Sequence, residues 1–457
     1  MAHHDLAIVG TGSGNMIVDD RFDGLDVAHV EATRFGGTCL NVGCIPTKML
    51  AYTAEVAETV RAASSYGVDA RIDRIRWSDI RDRVFARLDP IGDEGRDHRR
   101  DHGTVYDGTA RFTGPRAMTV DLAGGGTAEF TADRIVLAVG GRPVVPPPVA
   151  DSGVPFHTSD TIMRIDELPE HLAIIGGGYI AAEFAHVFGG LGCEVTIVES
   201  AGTLLGGMDE TVVERFTDAA RERFTVHTGR TVEKVTGGEG DVRLHLDDGT
   251  EVRADRLLVA AGRRPNSDRL DPDQAGVDTD DAGRVVVDAH GRTTADGVWA
   301  LGDISTPHPL KHVANHEAEV VGHNLAHPDD LREVDHGSVP AAVFTTPQIG
   351  SVGRTEQQCR EEGLEFRVGF HEYADVAFGW ALEEQRGFCK VLVAPDGTLL
   401  GAHLLGPQAS TMVQQLVQAM ALGVTAERLA HVQYWIHPAL TEVLENALRD
   451  AVEEDYN

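Results

Sequence analysis

The fold class this sequence predicts is α/β, with two Rossmann-like nucleotide-binding units and a C-terminal α+β module, and three observations predict it. An apolar strand running into a glycine-rich turn occurs twice, at residues 6–15 and again at residues 172–181. Each copy closes on a similar phrase, Ala138-Val139-Gly140-Gly141-Arg142-Pro143 in the first and Ala260-Ala261-Gly262-Arg263-Arg264-Pro265 in the second. The tail from Val339 instead alternates strands with two helices, at 354–362 and 408–422. Two nested copies of one plan imply two bound nucleotides. The domains then read as 1–147 with 273–335, 148–272, and 336–457.

The bulk properties narrow the function. A length of 457 residues suits several domains. No apolar run reaches about 18 residues, so no membrane span is expected. A net charge of −32 excludes nucleic acid as a partner, because a phosphate backbone needs a basic surface. Lysine is nearly absent: Lys48, Lys234, Lys311 and Lys390 stand against 36 arginines. An acidic, arginine-biased surface fits a high-GC genome or a salt-adapted interior, and composition does not separate the two. Five cysteines in such a length exclude a disulfide-stapled scaffold. Met1-Ala2-His3-His4-Asp5 runs straight into the first strand without a leader, which predicts a cytoplasmic protein.

In chain order, the strand Leu6-Ala7-Ile8-Val9 meets Gly10-Thr11-Gly12-Ser13-Gly14-Asn15. Glycines there let the backbone approach a pyrophosphate at a helix N-terminus. Asn15 stands where a third glycine is expected. A second strand, residues 26–30, ends in Glu31, about 20 residues on, where an acid binds a ribose hydroxyl.

Residues 36–48 hold Cys39 and Cys44 in a glycine-rich turn. Helix positions five apart lie roughly 8–9 Å from one another, whereas a disulfide tolerates about 7 Å between Cα atoms. A cysteine bridge here requires a distorted turn, which Asn41 and Gly43 allow. A helix starting near Cys44 would aim its amides at the sulfurs and favour a thiolate. Two reduced buried thiols or half a metal site are the alternatives. No second Cys or His pair at ligand spacing appears, so no metal is expected and the pair reads as redox-active.

Residues 46–65 and 77–88 carry helical periodicity, residues 104–139 read as short strands, and the prolines at 146–148 read as a linker. The second copy runs from His171 through Gly176-Gly177-Gly178-Tyr179-Ile180 into a long helix, and a further strand ends at Glu199. Residues 285–303 resume strand character and end in Gly302-Asp303, and a helix begins near Leu310 and passes through Ala314. The chain closes with His437-Pro438 and, five residues after the histidine, Glu442 at the start of a last helix. Cys193, Cys359 and Cys389 are isolated and read as inert.

With these motifs in hand the whole chain resembles the flavoprotein disulfide reductases of the glutathione reductase and dihydrolipoamide dehydrogenase type. The C-x4-C turn, both nucleotide turns, Gly302-Asp303 and the terminal His-Pro with its glutamate carry the resemblance. Residues 10–15, 36–49, 311–318 and 433–440 resemble the actinomycete branch that reduces mycothione. The resemblance implies FAD, NADH or NADPH as donor, a low-molecular-weight disulfide as substrate, and a homodimer whose active site is shared between subunits. It places Gly10, Gly12, Gly14, Asn15, Glu31, Gly37, Thr38, Ala138 and Gly140 with the flavin dinucleotide, as well as Gly302, Asp303, Leu310 and Ala314. Gly176, Gly178, Tyr179, Ile180, Glu199, Gly262 and Arg263 would serve the hydride donor, with Tyr179 as a gate. Lys48 and Glu183 would flank the flavin. Cys44 would be the thiolate next to the ring and Cys39 the interchange thiol, with His437 as acid/base oriented by Glu442.

Dihydrolipoamide dehydrogenase and a haloarchaeal bis-γ-glutamylcystine reductase are the competing family members. Mercuric and large thioredoxin reductases call for a further cysteine pair that the tail at 451–457 lacks. A transhydrogenase would not need the cysteines, and a non-enzymatic flavoprotein subunit would leave them silent. Glu199 favours a donor with a free 2′-hydroxyl and repels a 2′-phosphate. The nearest arginine downstream, Arg215, lies beyond its loop.

Overall fold

Both glycine turns follow a strand buried on two faces. In the first unit Ala2–Val9 runs parallel to Val27–Glu31 on one side and to Thr127–Leu137 on the other. In the second, His171–Ile175 lies in the same way between Glu194–Glu199 and Arg256–Val259. Leu6, Ala7 and Ile8, like Leu172, Ala173 and Ile174, are fully buried, as central parallel strands covered on both faces should be. These features are seen in a computed structural model that describes residues 1–453. Glu454-Asp455-Tyr456-Asn457, part of the cysteine-free tail noted above, lie outside the described residues.

The two sheets share an order. From one edge the first reads Thr104–Gly114, Val27–Glu31, Ala2–Val9, Thr127–Leu137, Val298–Ala300, with Ala117–Leu122 joining the outer strand antiparallel to Thr127–Leu137. The second reads Thr225–Thr228, Glu194–Glu199, His171–Ile175, Arg256–Val259, His157–Thr158. The turns repeat closely. Gly10 and Gly176 have φ of +99° and +110°, and their N–H groups donate at 2.8 Å to Val30 and Val198 respectively. A Cβ on either would stand 2.3 Å from a carbonyl oxygen, that of Ala138 or that of Ala260. Only glycine fits both.

The repeated closing phrases pair with each other. Gly141–Pro143 and Arg263–Pro265 form an antiparallel ribbon with Arg264 opposite Arg142, and it carries the chain across between the two units.

Several elements differ from the sequence reading. The proline run winds into the short helix Pro147–Ala150. The helix expected at 77–88 continues to His102 through Pro90. Asp89, next to that proline, is held by Arg34 and Arg164, and Arg34 also donates to the Asp89 carbonyl at 2.9 Å. Side-chain donors thus hold the stretch a proline weakens. Residues 285–303 are mostly isolated bridges, with Val298–Ala300 as the one strand named there.

The last module is an antiparallel sheet ordered Pro340–Val343, Ile349–Gly353, Leu399–Leu405, Phe388–Val393, Arg367–Glu372. The apolar faces of Ala409–Ala421 and Glu442–Val452 cover it. A buried cluster ties this module to the second unit. Lys390 Nζ lies 2.8 Å from Asp209 and 2.6 Å from Glu356. Among the described residues no helix is long and apolar enough to cross a membrane.

Candidate redox site where two dinucleotide clefts meet

The cysteine turn is a broken helix. Gly37–Asn41 makes one turn, Val42 and Gly43 leave helical geometry, and Cys44–Ala62 starts afresh. Gly43 is needed because a Cβ there would lie 2.9 Å from the Thr38 carbonyl. Asn41 holds the break, its amide donating to the Phe35 and Gly37 carbonyls at 2.9 and 3.0 Å. Both cysteines are reduced in this structure. The thiol of Cys39 hydrogen-bonds to Cys44, and this bond, with a smaller contribution from the charge of Lys48, lowers Cys44 to about 7 despite its burial. The same hydrogen bond, reinforced by burial, raises Cys39. The two shifts point in opposite directions and favour negative charge on Cys44 over Cys39.

Lys48 follows Cys44 by one helical turn, on the same face. It forms a two-pronged pair with Glu183, 2.7 Å to each carboxylate oxygen, from the helix Tyr179–Gly190 of the second unit. Glu183 is almost fully buried and also accepts the Phe344 amide at 3.1 Å. The two nucleotide units are thus joined by an ion pair beside the cysteines.

A cleft of about 640 Å³ runs from the first glycine turn to this pair, well inside the range of small-molecule sites. Gly10, Gly12, Glu31, Gly37, Thr38, Cys39, Cys44 and Lys48 line it, together with Ala138, Gly140, Glu183, Gly302, Asp303 and Ala314. Glu31 is anchored by Thr11 and Thr33, whose amides and hydroxyls donate to it at 2.7–3.0 Å. Burial raises the carboxyl of Asp303, against the pull of Arg263. Gly302 donates its N–H to the buried Glu317 at 2.6 Å.

Three expected residues stand behind the lining. Gly14 packs under the turn, where a Cβ would meet that of Ala138 at 2.7 Å. Leu310 caps the helix Lys311–Ala326, and its neighbours Pro309 and Lys311 face the cleft in its place. Asn15 is gripped by Arg99, which donates to its side chain and its carbonyl at 2.8 Å each. The asparagine thus replaces close glycine packing with a polar tie to the helix Trp77–His102.

A second cleft of about 590 Å³ is lined by Gly176, Gly178, Tyr179, Ile180, Glu199, Gly262 and Arg263. Tyr179, Ile180, Arg263 and Pro309 border both clefts, so Tyr179 stands in the partition between them. Glu199 Oε1 accepts from the Ala201 amide at 2.6 Å and the Ser200 hydroxyl at 3.0 Å. Arg215, the arginine nearest in sequence, is drawn away to Glu372 at 2.7 Å. Arg230 takes its place in the cleft wall, delivered by the end of the neighbouring strand Thr225–Thr228 and paired with Asp248 at 2.8 Å. The sequence signal for it was weak, since only the parallel pairing of that strand with Glu194–Glu199 brings it there.

His437 and Glu442 form a pair of their own. Nδ1 of His437 lies 2.7 Å from Glu442, which also accepts the Ala439 amide at 3.1 Å. Neither lines the cleft that holds the cysteines, and the imidazole is exposed. Val432, Tyr434 and Ile436 beside it are exposed as well.

The fit to a flavin dinucleotide is good. The bare glycine backbone, an acid at the ribose position and a cation beside the cysteines form the donor set such a group needs. Two dinucleotide clefts meeting at a cysteine pair define a disulfide oxidoreductase. Residues 4–318 match the family described as pyridine nucleotide-disulphide oxidoreductase, and residues 339–448 match its dimerisation domain. Mycothione reductase of Mycobacterium tuberculosis is 53% identical over 460 residues, covering 98% of this chain and 99% of its own. A dihydrolipoyl dehydrogenase of Haloferax volcanii is 32% identical, covering 98% and 97%. The HOCl-induced flavoprotein disulfide reductase RclA of Escherichia coli superposes with a TM-score of 0.85 at 28% identity, covering 97% of this chain and 99% of its own. The chain belongs to the pyridine nucleotide-disulphide oxidoreductases. It is an NAD(P)H-dependent, FAD-dependent disulfide reductase with a homodimerisation domain.

Proposed function

We propose that this chain reduces mycothione in the cytoplasm. The supporting observation is the 53% identity to a mycothione reductase along nearly the full length of both chains. The flavin unit is assigned to residues 1–147 and 273–335, the hydride-donor unit to 148–272, and the interface to 336–457. FAD, when bound, supplies the two-electron relay between the donor nucleotide and the cysteine disulfide. The steps at sulfur belong to the chain. Cys39 gives its proton to His437 as it attacks one sulfur of the substrate, the substrate S–S bond breaks, and the first thiol leaves with that proton returned from His437. Cys44 thiolate then attacks Cys39, restoring the Cys39–Cys44 bond and expelling the second product as a thiolate, which takes a proton from solvent. Lys48 holds negative charge at the cysteines, and Tyr179 opens to admit the donor. Glu442 orients His437.

The test is a side-by-side assay of mycothione, glutathione disulfide, bis-γ-glutamylcystine and lipoamide. Mycothione is expected to show the highest kcat/KM, and a clear preference for lipoamide would establish the dihydrolipoamide dehydrogenase reading instead. The same assays compare donors at fixed ionic strength, since a charge of −32 repels the more anionic donor most at low salt. Glu199 should make NADH at least as good as NADPH. A hundredfold preference for NADPH would assign control to Arg230.

A further inference from the structure

Four lysines serve the whole chain, and two of them, Lys48 and Lys311, line the same cleft. Glu183 accounts for Lys48. Lys311 has no such partner. It is the first residue of the helix Lys311–Ala326, where the helix dipole disfavours a cation. Burial also works against its charge, while Cys39, Cys44 and Asp303 favour it from a distance. Among the described residues no carboxylate is paired with it, and its one hydrogen bond runs to Ser13 Oγ at 2.8 Å. Ser13 in turn donates to Asn315 at 3.0 Å, fixing the helix start against the first glycine turn. A half-buried cation without an anion therefore stands at a glycine-rich turn, the kind of turn whose backbone amides bind phosphate.

We propose that Lys311 is a cofactor-positioning residue whose ammonium meets the pyrophosphate of FAD at the turn holding Ser13, an inference that rests on the flavoprotein reading above. The need for it is electrostatic. A doubly charged pyrophosphate enters a cleft lined by Glu31, Asp160, Glu183 and Asp303, and of the arginines that also line it Arg34, Arg142 and Arg164 are each already paired with an aspartate. A compact ammonium is a point charge suited to phosphate.

The experiment is reconstitution of apoprotein with FAD, followed by flavin fluorescence at low and high salt, for wild type, Lys311→Met and Lys311→Arg. Lys311→Met should weaken FAD binding by about 10- to 100-fold, the worth of one charged hydrogen bond, and flatten its salt dependence. Lys311→Arg should largely restore both. Thermal melts of the apoproteins separate a binding loss from misfolding, and a Lys311→Met apoprotein that melts like wild type with FAD affinity unchanged overturns the inference. So does a variant that keeps its FAD affinity but needs a higher pH to form the Cys44 thiolate, since the lysine would then serve the cysteines. A wild-type apoprotein that takes up no FAD would instead bring down the flavoprotein reading itself.

Discussion

Cys44 owes its acidity to neighbours of unequal weight. The Cys39 thiol contributes most, the Lys48 charge contributes less, and burial and Glu183 oppose them. The thiolate prevails above a pH of about 7 and is lost as pH falls through that value. In enzyme with the pair reduced and FAD bound, the long-wavelength absorbance of thiolate against flavin should therefore appear above about pH 7 and fade below it. Lys48→Met removes a cation and leaves Glu183 unpaired, so the midpoint should move upward by about one pH unit. A midpoint that stays in place would remove Lys48 from the thiolate's support. The two cysteines were legible in the sequence because their spacing is local, and so was the pairing of His437 with Glu442. Lys311 and Arg230 were not. Lys311 meets a serine 298 positions away, and no local pattern encodes that contact.

At the scale of elements, the helices Cys44–Ala62 and Tyr179–Gly190 set the distance between the two nucleotide units. Small residues let them approach: a Cβ on Gly190 would lie 2.7 Å from that of Ala54 and 3.1 Å from Glu58 Oε1. His186 reaches across to the Ala51 carbonyl at 3.3 Å, and Arg61 donates to the Gly190 carbonyl at 2.5 Å. Lys48 and Glu183 sit at the other end of the same crossing. Gly190→Val should push the helices apart, cost about 1–3 kcal/mol as overpacking usually does, and slow reduction of the cysteine pair. Denaturant unfolding and stopped-flow reduction by NAD(P)H check the two effects. A variant with lower stability but a normal reductive step would show that the crossing supports the fold alone. Strand–turn–helix units were readable because glycine positions and apolar runs are both local. The helix through Pro90 was not, since the arginines that hold it come from residues 34 and 164.

At the scale of the molecule, the acid/base pair and the cysteines do not share a cleft within one chain. His437 is exposed on a segment whose apolar neighbours Val432, Tyr434 and Ile436 are exposed too, inside the span matched by the dimerisation domain. Apolar side chains exposed together mark a surface that another protein covers. Glu442 holds Nδ1 of His437, leaving Nε2 as the nitrogen free to give a proton to a leaving thiolate. Under the proposed mechanism each active site of the dimer would take its cysteines from one subunit and its histidine from the partner. His437→Ala should keep rapid reduction of the cysteine pair while losing disulfide turnover by about 10²–10⁴-fold, the usual worth of a placed acid/base. Mixed dimers separate the arrangements, using Cys39→Ser in one subunit and His437→Ala in the other. If the groups act across the interface, one site is doubly damaged and the other is intact, so the heterodimer retains about half the wild-type rate. If they act within one chain, each site lacks one essential group and the heterodimer is as inactive as its parents. Activity near half, measured on heterodimers purified by two different tags, would establish the shared site. Activity at the parental level would place His437 with the cysteines of its own subunit.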